Sequence, residues 1–396
     1  MTDASASPER HDVVIVGAGA VGLLLACLVA QRGYDVVVLE RRATAGHRTR
    51  AIGIHPPGLA ALDAAGVGEA VRDASVPIRA GAVTCDGRVL GRLDFRGEPV
   101  RALPQHETEA LLEARLAALA PEALRRGVEV VGVREHDGVV EVAMRAVPDV
   151  AGAPPRAVHA PVVVGADGVR STVRDAIGAG WHAERGRAEY VMADTADATG
   201  SPDLALLHFE RAGVVESFPL PDGRRRWVAL VRKPPAAFDP AALATIVRAR
   251  LGTSVDPVSM TEPTAFTARQ RIADRFAAGR IALVGDAAHE VSPIGGQGMN
   301  LGWLDALHLD RAIAAALRGS ASSSERAGHE ASDPFVDYAR ARRRAALRAM
   351  RQAAFNMAMG APAAGARLRA RNALVRLLAV PPVRGQLERA FTMRGL

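Results

Sequence analysis

Residues 12–40 read DVVIVGAGAVGLLLACLVAQRGYDVVVLE, and this stretch decides the fold. The opening DVVIV is a β-branched apolar run of the kind that forms a buried parallel strand. A GxGxxG sequence, Gly17 to Gly22, follows at once, and apolar residues then recur at helical spacing as far as Gly33. A second apolar run ends at Glu40. This order of strand, glycine-rich turn, helix, strand and acid predicts a Rossmann-like dinucleotide-binding unit.

Each glycine of that motif has a physical task in nucleotide binding. Gly17 permits the tight turn, Gly19 lets the backbone approach a pyrophosphate, and Gly22 lets the helix pack close to the strand. The pyrophosphate is expected at the helix N-terminus, where free N–H groups favour negative charge. Glu40, with Arg41 beside it, is expected at the ribose. The motif alone does not separate NAD from FAD.

Two further strand-to-turn motifs follow along the chain. The run Pro161–Val164 leads into Asp167-Gly168, and the run Arg280–Val284 leads into Gly285-Asp286. Either motif alone could be an ordinary turn, because Asp-Gly after a strand is a common turn dipeptide.

The three motifs together, in this order, resemble the FAD-dependent aromatic hydroxylases, the single-component class A flavoprotein monooxygenases with a 4-hydroxybenzoate hydroxylase-like fold. That family carries GxGxxG near its start, a DG motif in mid-chain and a GD motif late. Arg50 fits its arginine near the FAD, and Gln105 fits its flavin-contacting glutamine. The stretch 296–302, GQGMNLG, fits the loop and helix against the flavin ring.

The resemblance implies roles for the late motifs. Asp286, after Gly285, would hydrogen-bond the ribityl chain of FAD, and Asp167 would help to shape the binding of FAD and nicotinamide. Pro293 would lie beside the flavin where the substrate approaches. Gly298, Met299 and Asn300 would lie where a helix begins whose positive end faces the flavin.

The implied activity is that of an FAD- and NAD(P)H-dependent monooxygenase. NADPH or NADH would reduce FAD, and O2 would then form a flavin C4a-hydroperoxide. That species would pass one oxygen atom to an aromatic or polyketide-like small molecule, and the chemistry would reside on the cofactor. No catalytic side chain is therefore expected, and His289 is interpreted as a structural residue.

Several alternatives remain open. A reductase or dehydrogenase on the same fold would incorporate no oxygen, and a Baeyer–Villiger insertion would use a related flavin species. A flavin-dependent halogenase would need a tunnel lysine and a WxWxIP motif, and the chain lacks that motif. A non-enzymatic binding module that uses the arginine-rich end of the chain is the remaining alternative.

The predicted fold is α/β, with an antiparallel-sheet substrate domain inserted into the FAD-binding domain. The FAD-binding domain is assigned residues 1–75, 106–185 and 276–338. The substrate domain is assigned residues 76–105 and 186–275. A helical segment, 339–396, follows. The candidate substrate-contacting residues are Tyr190, His208, Phe218 and Ile294.

Charge and composition limit the partners. The net charge is +7, but residues 339–396 hold 13 arginines and one acid, so this segment is strongly basic. A solvated helical face packed on its own protein is the favoured interpretation, and weak peripheral contact with a membrane is a second hypothesis. No nucleic-acid partner is expected. Two cysteines without metal-site spacing predict no metal and a reducing, cytoplasmic setting.

Overall fold

The computed structural model describes residues 8–46, 51–95, 97–147, 156–232, 238–321, 333–381 and 383–394. Arg50 lies outside this range, so its predicted contact with FAD stays a prediction. Within the described residues, no helix has both the length and the apolar character needed to cross a membrane.

Ten helices are present in the described part of the chain. They are α1 (Ala20–Gln31), α2 (Pro56–Ala64), α3 (Gly68–Ala74), α4 (Gln105–Leu119), α5 (Thr172–Ala176), α6 (Pro240–Leu251), α7 (Gln297–Ala321), α8 (Pro334–Gly360), α9 (Gly365–Leu378) and α10 (Val383–Phe391). The first of them, α1, is buried along most of its length because α4 and α7 both pack against it.

The strands of the described residues are short and numerous. They are β1 (Glu9–Arg10), β2 (Val13–Val16), β3 (Val36–Glu40), β4 (Gly53–Ile54), β5 (Val76–Ile78), β6 (Ala80–Cys85), β7 (Arg88–Asp94), β8 (Val100–Ala102), β9 (Leu124–Arg126), β10 (Val128–His136), β11 (Val139–Ala146), β12 (Arg156–Ala160), β13 (Val162–Gly165), β14 (Trp181–Ala183), β15 (Ala188–Ala196), β16 (Leu204–Glu210), β17 (Gly213–Leu220), β18 (Arg224–Val231), β19 (Thr264–Ala268), β20 (Arg271–Ala273), β21 (Ala277–Ala278), β22 (Ile281–Leu283) and β23 (His289–Glu290). Two of the sheets that they form position the candidate site.

The first sheet is the largely parallel one that the three motifs predict. Its order is β21-β22-β13-β2-β3-β9, and only the β21–β22 pair is antiparallel. The residues of β2, β3 and β13 are fully buried, as expected for strands covered on both faces. Because β2, β13 and β22 run parallel as neighbours, the turns that follow them meet at one edge of the sheet. That edge is where α/β sheets bind ligands.

The second sheet has the order β19-β15-β18-β17-β16-β6-β7. Its pairs are antiparallel except for β16 with β6. The turn at 221–223 joins β17 to β18, and Asp222 and Gly223 both adopt positive φ there. The predicted α/β class with an inserted antiparallel sheet and a helical end is confirmed, while the exact domain bounds stay a prediction.

The basic C-terminal helices are integral to the fold. Helix α8 packs on α7, and α9 and α10 lie against β7 at the edge of the second sheet. Arg342 and Arg371 are buried, the latter donating hydrogen bonds to the backbone oxygens of Ala361 and Phe209. The segment thus packs on its own protein as expected, but these two arginines are buried rather than solvated, and their guanidinium groups hold helices to the rest of the protein.

Candidate functional site

A glycine cradle lies at the carboxyl edge of the parallel sheet. Gly17 has φ +106°, and a Cβ atom there would lie 2.4 Å from the carbonyl oxygen of Ala166, on the turn after β13. A Cβ atom at Gly22 would lie 2.0 Å from the carbonyl oxygen of Gly17. Both positions therefore require glycine, and the N-terminus of α1 stays close to the sheet edge.

Glu40 closes the cradle at the end of β3. Its carboxylate accepts hydrogen bonds from the backbone N–H of Ala18 at 2.8 Å and of Arg42 at 2.9 Å. Burial acts to raise the pKa of Glu40, but hydrogen bonds from Arg42 and Ala18 outweigh it and lower the pKa. Arg41 points elsewhere, since it is mostly exposed and pairs with Glu129 at 3.6 Å. The cationic neighbour of Glu40 is thus Arg42 rather than the predicted Arg41.

Helix α4 supplies two residues to the same edge. Gln105, its first residue, donates from Nε2 to Oε1 of Glu109 at 2.8 Å. The same oxygen of Glu109 accepts the backbone N–H of Ala20, the first residue of α1, at 3.1 Å. A carboxylate therefore sits at the positive end of α1. Glu109 was not among the predicted site residues, although it lies four residues after Gln105, which places both on one helix face.

The other two motifs place their acids at this edge too. One oxygen of Asp167 accepts the N–H of Val173 at 3.2 Å, while Oδ1 is buried without a hydrogen-bond partner among the described residues. Burial raises the pKa of the Asp167 carboxyl. Asp286 is exposed and lines a cavity next to the cradle. Gly285 before it adopts φ +57°, so the turn after β22 needs glycine.

Hydrogen bonds of Asn300 and His55 hold the glycine-rich loop that follows β23. Asn300 on α7 accepts the backbone N–H of His55 at 2.8 Å and donates to the oxygens of Gly53 and Gly296 at 2.9 and 2.7 Å. The Nε2–H of His55 donates to the carbonyl oxygen of Gly295 at 2.9 Å. Burial lowers the pKa of His55 to about 4, so the ring is neutral near pH 7. Asn300 thus uses its amide to hold the loop in place.

A buried charged network supports the turn after β22. Asp305 on α7 accepts from Nε2 of His289 at 2.5 Å, from Nε of Arg342 at 2.7 Å and from the N–H of Gly285 at 3.2 Å. Burial acts to raise the pKa of Asp305, but His289 and Arg342 outweigh it and lower the pKa. His289 is completely buried in this network, as its structural interpretation expects.

A cavity of about 370 Å³ runs from the cradle to the second sheet. The predicted site residues that line it are Gly19, Gln105, Asp286, Pro293, Gly298, Met299, Phe218 and Ile294. The predicted residues that lie outside its lining are Gly17, Gly22, Glu40, Arg41, Asp167, Gly285, Asn300, Tyr190 and His208. The cradle residues among them bound the cavity's cofactor end, while Tyr190 and His208 lie deeper in the second domain.

The positions of Tyr190 and His208 follow from their contacts. Tyr190 is fully buried and stacks on Phe266 with ring centroids 5.6 Å apart. The Nδ1 atom of His208 lies 2.7 Å from Oγ1 of Thr84. Burial lowers the pKa of His208 to about 4. Neither side chain lines the cavity, although Tyr190 packs against Phe266, which does, so a contact of either residue with substrate stays a prediction.

Many of the residues that line the cavity were not predicted, among them two of the second sheet and one of the last helix. Glu216 and Arg226 belong to β17 and β18, and Phe391 comes from the last turn of α10. Phe391 stacks on Phe95 at 5.5 Å with an interplanar angle of 6°. The C-terminal helix thus forms part of the cavity wall, a contact that no local pattern predicts. Glu216 did leave a signal, because an acid inside an apolar strand is unusual.

Comparison with known proteins agrees with this architecture. A family described as an FAD binding domain matches residues 10–342, most of the chain, and the chain belongs to that family. The resemblance to the FAD-dependent aromatic hydroxylases is confirmed at this level. In fold, the chain is similar to p-nitrophenol 4-monooxygenase from Pseudomonas putida DLL-E4, with a TM-score of 0.83, 24% identity, and coverage of 97% of this chain and 98% of that chain.

Two relatives with higher sequence identity to this chain are named as a monooxygenase and a hydroxylase. The chain is 33% identical over 331 residues to the 12-dehydrotetracycline 5-monooxygenase/anhydrotetracycline 6-monooxygenase of Streptomyces rimosus subsp. rimosus, covering 79% of this chain and 64% of that protein. It is 32% identical over 322 residues to the 3-(3-hydroxy-phenyl)propionate/3-hydroxycinnamic acid hydroxylase of Burkholderia cenocepacia, covering 79% and 58%. The chain therefore spans less than two thirds of the length of either relative.

Proposed function

We propose that the protein is an FAD- and NAD(P)H-dependent monooxygenase that inserts one oxygen atom from O2 into an aromatic or polyketide-like small molecule. The observation that carries the proposal is the single cavity that joins the glycine cradle to an apolar sheet face. One end of it suits a dinucleotide and the other a small apolar molecule. The names of the similar proteins, which act on tetracycline intermediates and on hydroxyphenyl acids, support the same class.

The cofactor end fits FAD on the chemistry of its groups. Glycines that tolerate no Cβ leave room for a pyrophosphate at the N-terminus of α1. Glu40 would hold the ribose, and the exposed carboxylate of Asp286 would reach the ribityl chain. The orphaned Oδ1 of Asp167 has acceptor capacity left for a ligand or a water. When bound, FAD would take electrons from a nicotinamide nucleotide and activate O2.

The side chains of the protein would position and shield the reacting groups. Pro293, Gly298 and Met299 line the cavity between the cradle and the second sheet, where a flavin ring and a substrate would meet. Apolar residues surround the substrate end and would exclude water from the reaction. Those residues are Ile78, Phe95, Val100, Met192, Phe218, Val228, Phe266 and Ile294.

Labelled oxygen separates this function from the alternatives. The purified protein should carry FAD or bind added FAD, and candidate phenols, quinolones and polyketide aromatics should stimulate NADH or NADPH oxidation. Under 18O2 the product should gain one labelled atom, and in 18O-labelled water it should gain none. A reductase or dehydrogenase would give a product without label under either condition. A lactone or ester product would indicate Baeyer–Villiger insertion, and a protein that neither carries nor binds flavin would refute the proposal.

A further inference from the structure

Glu216 occupies an unusual position for a carboxyl group. It lies in the middle of β17, directly opposite Val228 of β18 and Leu207 of β16. Phe218, two residues further along the strand, points to the same face because side chains alternate in a strand. Both line the cavity, yet only 4% of Glu216 is exposed. An acid thus faces the substrate end of the cavity from an apolar sheet surface.

The carboxyl group of Glu216 has no partner within the protein. Among the residues that the structure describes, none donates a hydrogen bond to it and none forms an ion pair with it, and burial is the sole cause of its pKa shift. Arg226, the nearby cation of the sheet, donates two hydrogen bonds to the carboxylate of Asp194, at 2.7 and 2.8 Å. Buried polar groups are normally hydrogen-bonded, and a carboxyl group without a partner costs free energy. A ligand that enters the cavity can supply the missing donor.

We propose that Glu216 determines substrate specificity by accepting a hydrogen bond from a hydroxyl group on an otherwise apolar aromatic substrate, and that it disfavours carboxylated substrates. The inference rests on the proposed function and names the substrate class of that same cavity. A site whose polar group is left unpaired by the wrong ligand discriminates strongly against that ligand. When Glu216 is ionised, a substrate carboxylate would instead place like charges together in surroundings of low dielectric.

Burial supports a neutral hydroxyl rather than a cation as the partner. It raises the pKa of Glu216 to about 7, so roughly half of the molecules carry the protonated group at pH 7. Of the titratable groups near it, Arg226 is paired with Asp194, and the hydroxyl of Tyr190 makes no hydrogen bond to it. A hydroxyl group can pair with either protonation state of Glu216, because it both donates and accepts. An ammonium ion would need the ionised form alone.

Binding of naphthalene probes to the FAD-loaded full chain tests the inference without turnover. The probes are 2-naphthol, 2-methoxynaphthalene, 2-naphthoate and 2-naphthylmethylammonium, and the readout is the difference spectrum of the flavin. The wild type should bind 2-naphthol roughly tenfold more tightly than the methyl ether, the effect of one hydrogen bond to a carboxyl group. It should bind 2-naphthoate more weakly than 2-naphthol.

Two substitutions should remove this preference. In Glu216→Leu the ratio between naphthol and its ether should fall to about one, and in Glu216→Gln the affinity for 2-naphthoate should rise. Glu210→Gln is the matched control, because Glu210 is as deeply buried on the adjacent β16 but lies outside the cavity lining. It should keep the wild-type ratios. FAD content and circular dichroism show whether each variant is folded, and a misfolded Leu variant leaves the Gln variant as the test.

The possible outcomes distinguish a failure of this inference from a failure of the proposed function. Unchanged ratios in folded Glu216 variants, no binding of 2-naphthol to the wild type, or tighter binding of the ammonium probe would each overturn the inference. Loss of the naphthol preference only in the Glu216 variants would support it, even where no labelled oxygen enters a product. In that case the monooxygenase proposal fails and the specificity of the cavity stands.

Discussion

Replacing Glu216 by glutamine should stabilise the folded protein, and it should do so in a pH-dependent way. The carboxyl has a folded-state pKa of about 7 against its ordinary value of 4.5, and burial is the cause. Below pH 4.5 the group is protonated in both states. Between 4.5 and 7 the folded state holds a proton that the unfolded state has lost, so stability falls as the pH rises through this interval.

The magnitude follows from the width of that interval. Each pH unit between the two pKa values corresponds to about 1.4 kcal/mol, so complete ionisation costs the folded state about 3 kcal/mol. Most of this loss, about 2.5 kcal/mol, appears between pH 5 and pH 8. Glutamine has nearly the same shape and no ionisation, so Glu216→Gln should escape the loss. The cavity function then explains why the chain keeps a destabilising acid.

Urea denaturation of the FAD-loaded protein, followed by flavin fluorescence, measures the effect. The wild type and Glu216→Gln should have similar midpoints at pH 5, and the variant should have the higher midpoint at pH 8. Titration of all other groups cancels in this difference. The control is Glu262→Gln, at an exposed position just before β19, which should shift the midpoint equally at both pH values. A constant difference for Glu216→Gln would refute the assignment of a buried acid without a partner.

Three further changes test other parts of the site. Asp286→Ala should weaken FAD retention about tenfold, since one charge-assisted contact is lost; full flavin content after gel filtration with normal turnover would contradict the role. Asp305→Asn leaves His289 and Arg342 buried without their anion, so the melting temperature should fall by the equivalent of about 3–5 kcal/mol, and unchanged melting would show that the network is dispensable. Phe391→Ala removes one aromatic wall of the cavity and should weaken probe binding by about 0.5–1.5 kcal/mol; wild-type affinity for 2-naphthol would show that α10 does not close the site.

The cofactor half of the protein was predictable because its signals are local. Strands β2, β3 and β13 are recognisable in the sequence as β-branched apolar runs, and each ends in a glycine turn or an acid. The backbone itself makes most of the cradle, and the need for glycine at Gly17 and Gly22 is visible in the sequence as GxGxxG. Parallel pairing then brings the three turns to one edge without further information.

The substrate half was less predictable because its cavity face depends on register. Nearly every residue of β17 is buried, so no alternation of polar and apolar residues marks which face meets the cavity. Phe218 and Glu216 share that face only because of where the strand enters the sheet. The prediction that Tyr190 and His208 contact substrate had no such register to guide it, and neither residue is part of the cavity lining.

Contacts between residues far apart in the chain could not be predicted, because no local pattern indicates the partner. Arg342 looks like one of many arginines in a basic helix, yet it is buried against an aspartate 37 residues earlier in the chain. Phe391 reaches Phe95 across almost three hundred residues. The position of α10 against β7 decides which of its side chains enters the cavity. Composition reports the charge of such a segment but not the partner of each charge.

The two halves of the cavity therefore differ in how freely they can change. A substitution in the cradle meets backbone atoms at 2.0–2.4 Å and must disturb the fold. A substitution at Glu216 meets only side chains and open cavity, and removing its buried charge relieves a cost of desolvation. The same FAD-binding frame can thus accept different substrates through changes on the sheet face. For that reason the motifs identify the family, whereas the few polar groups opposite the cradle carry the information about the substrate.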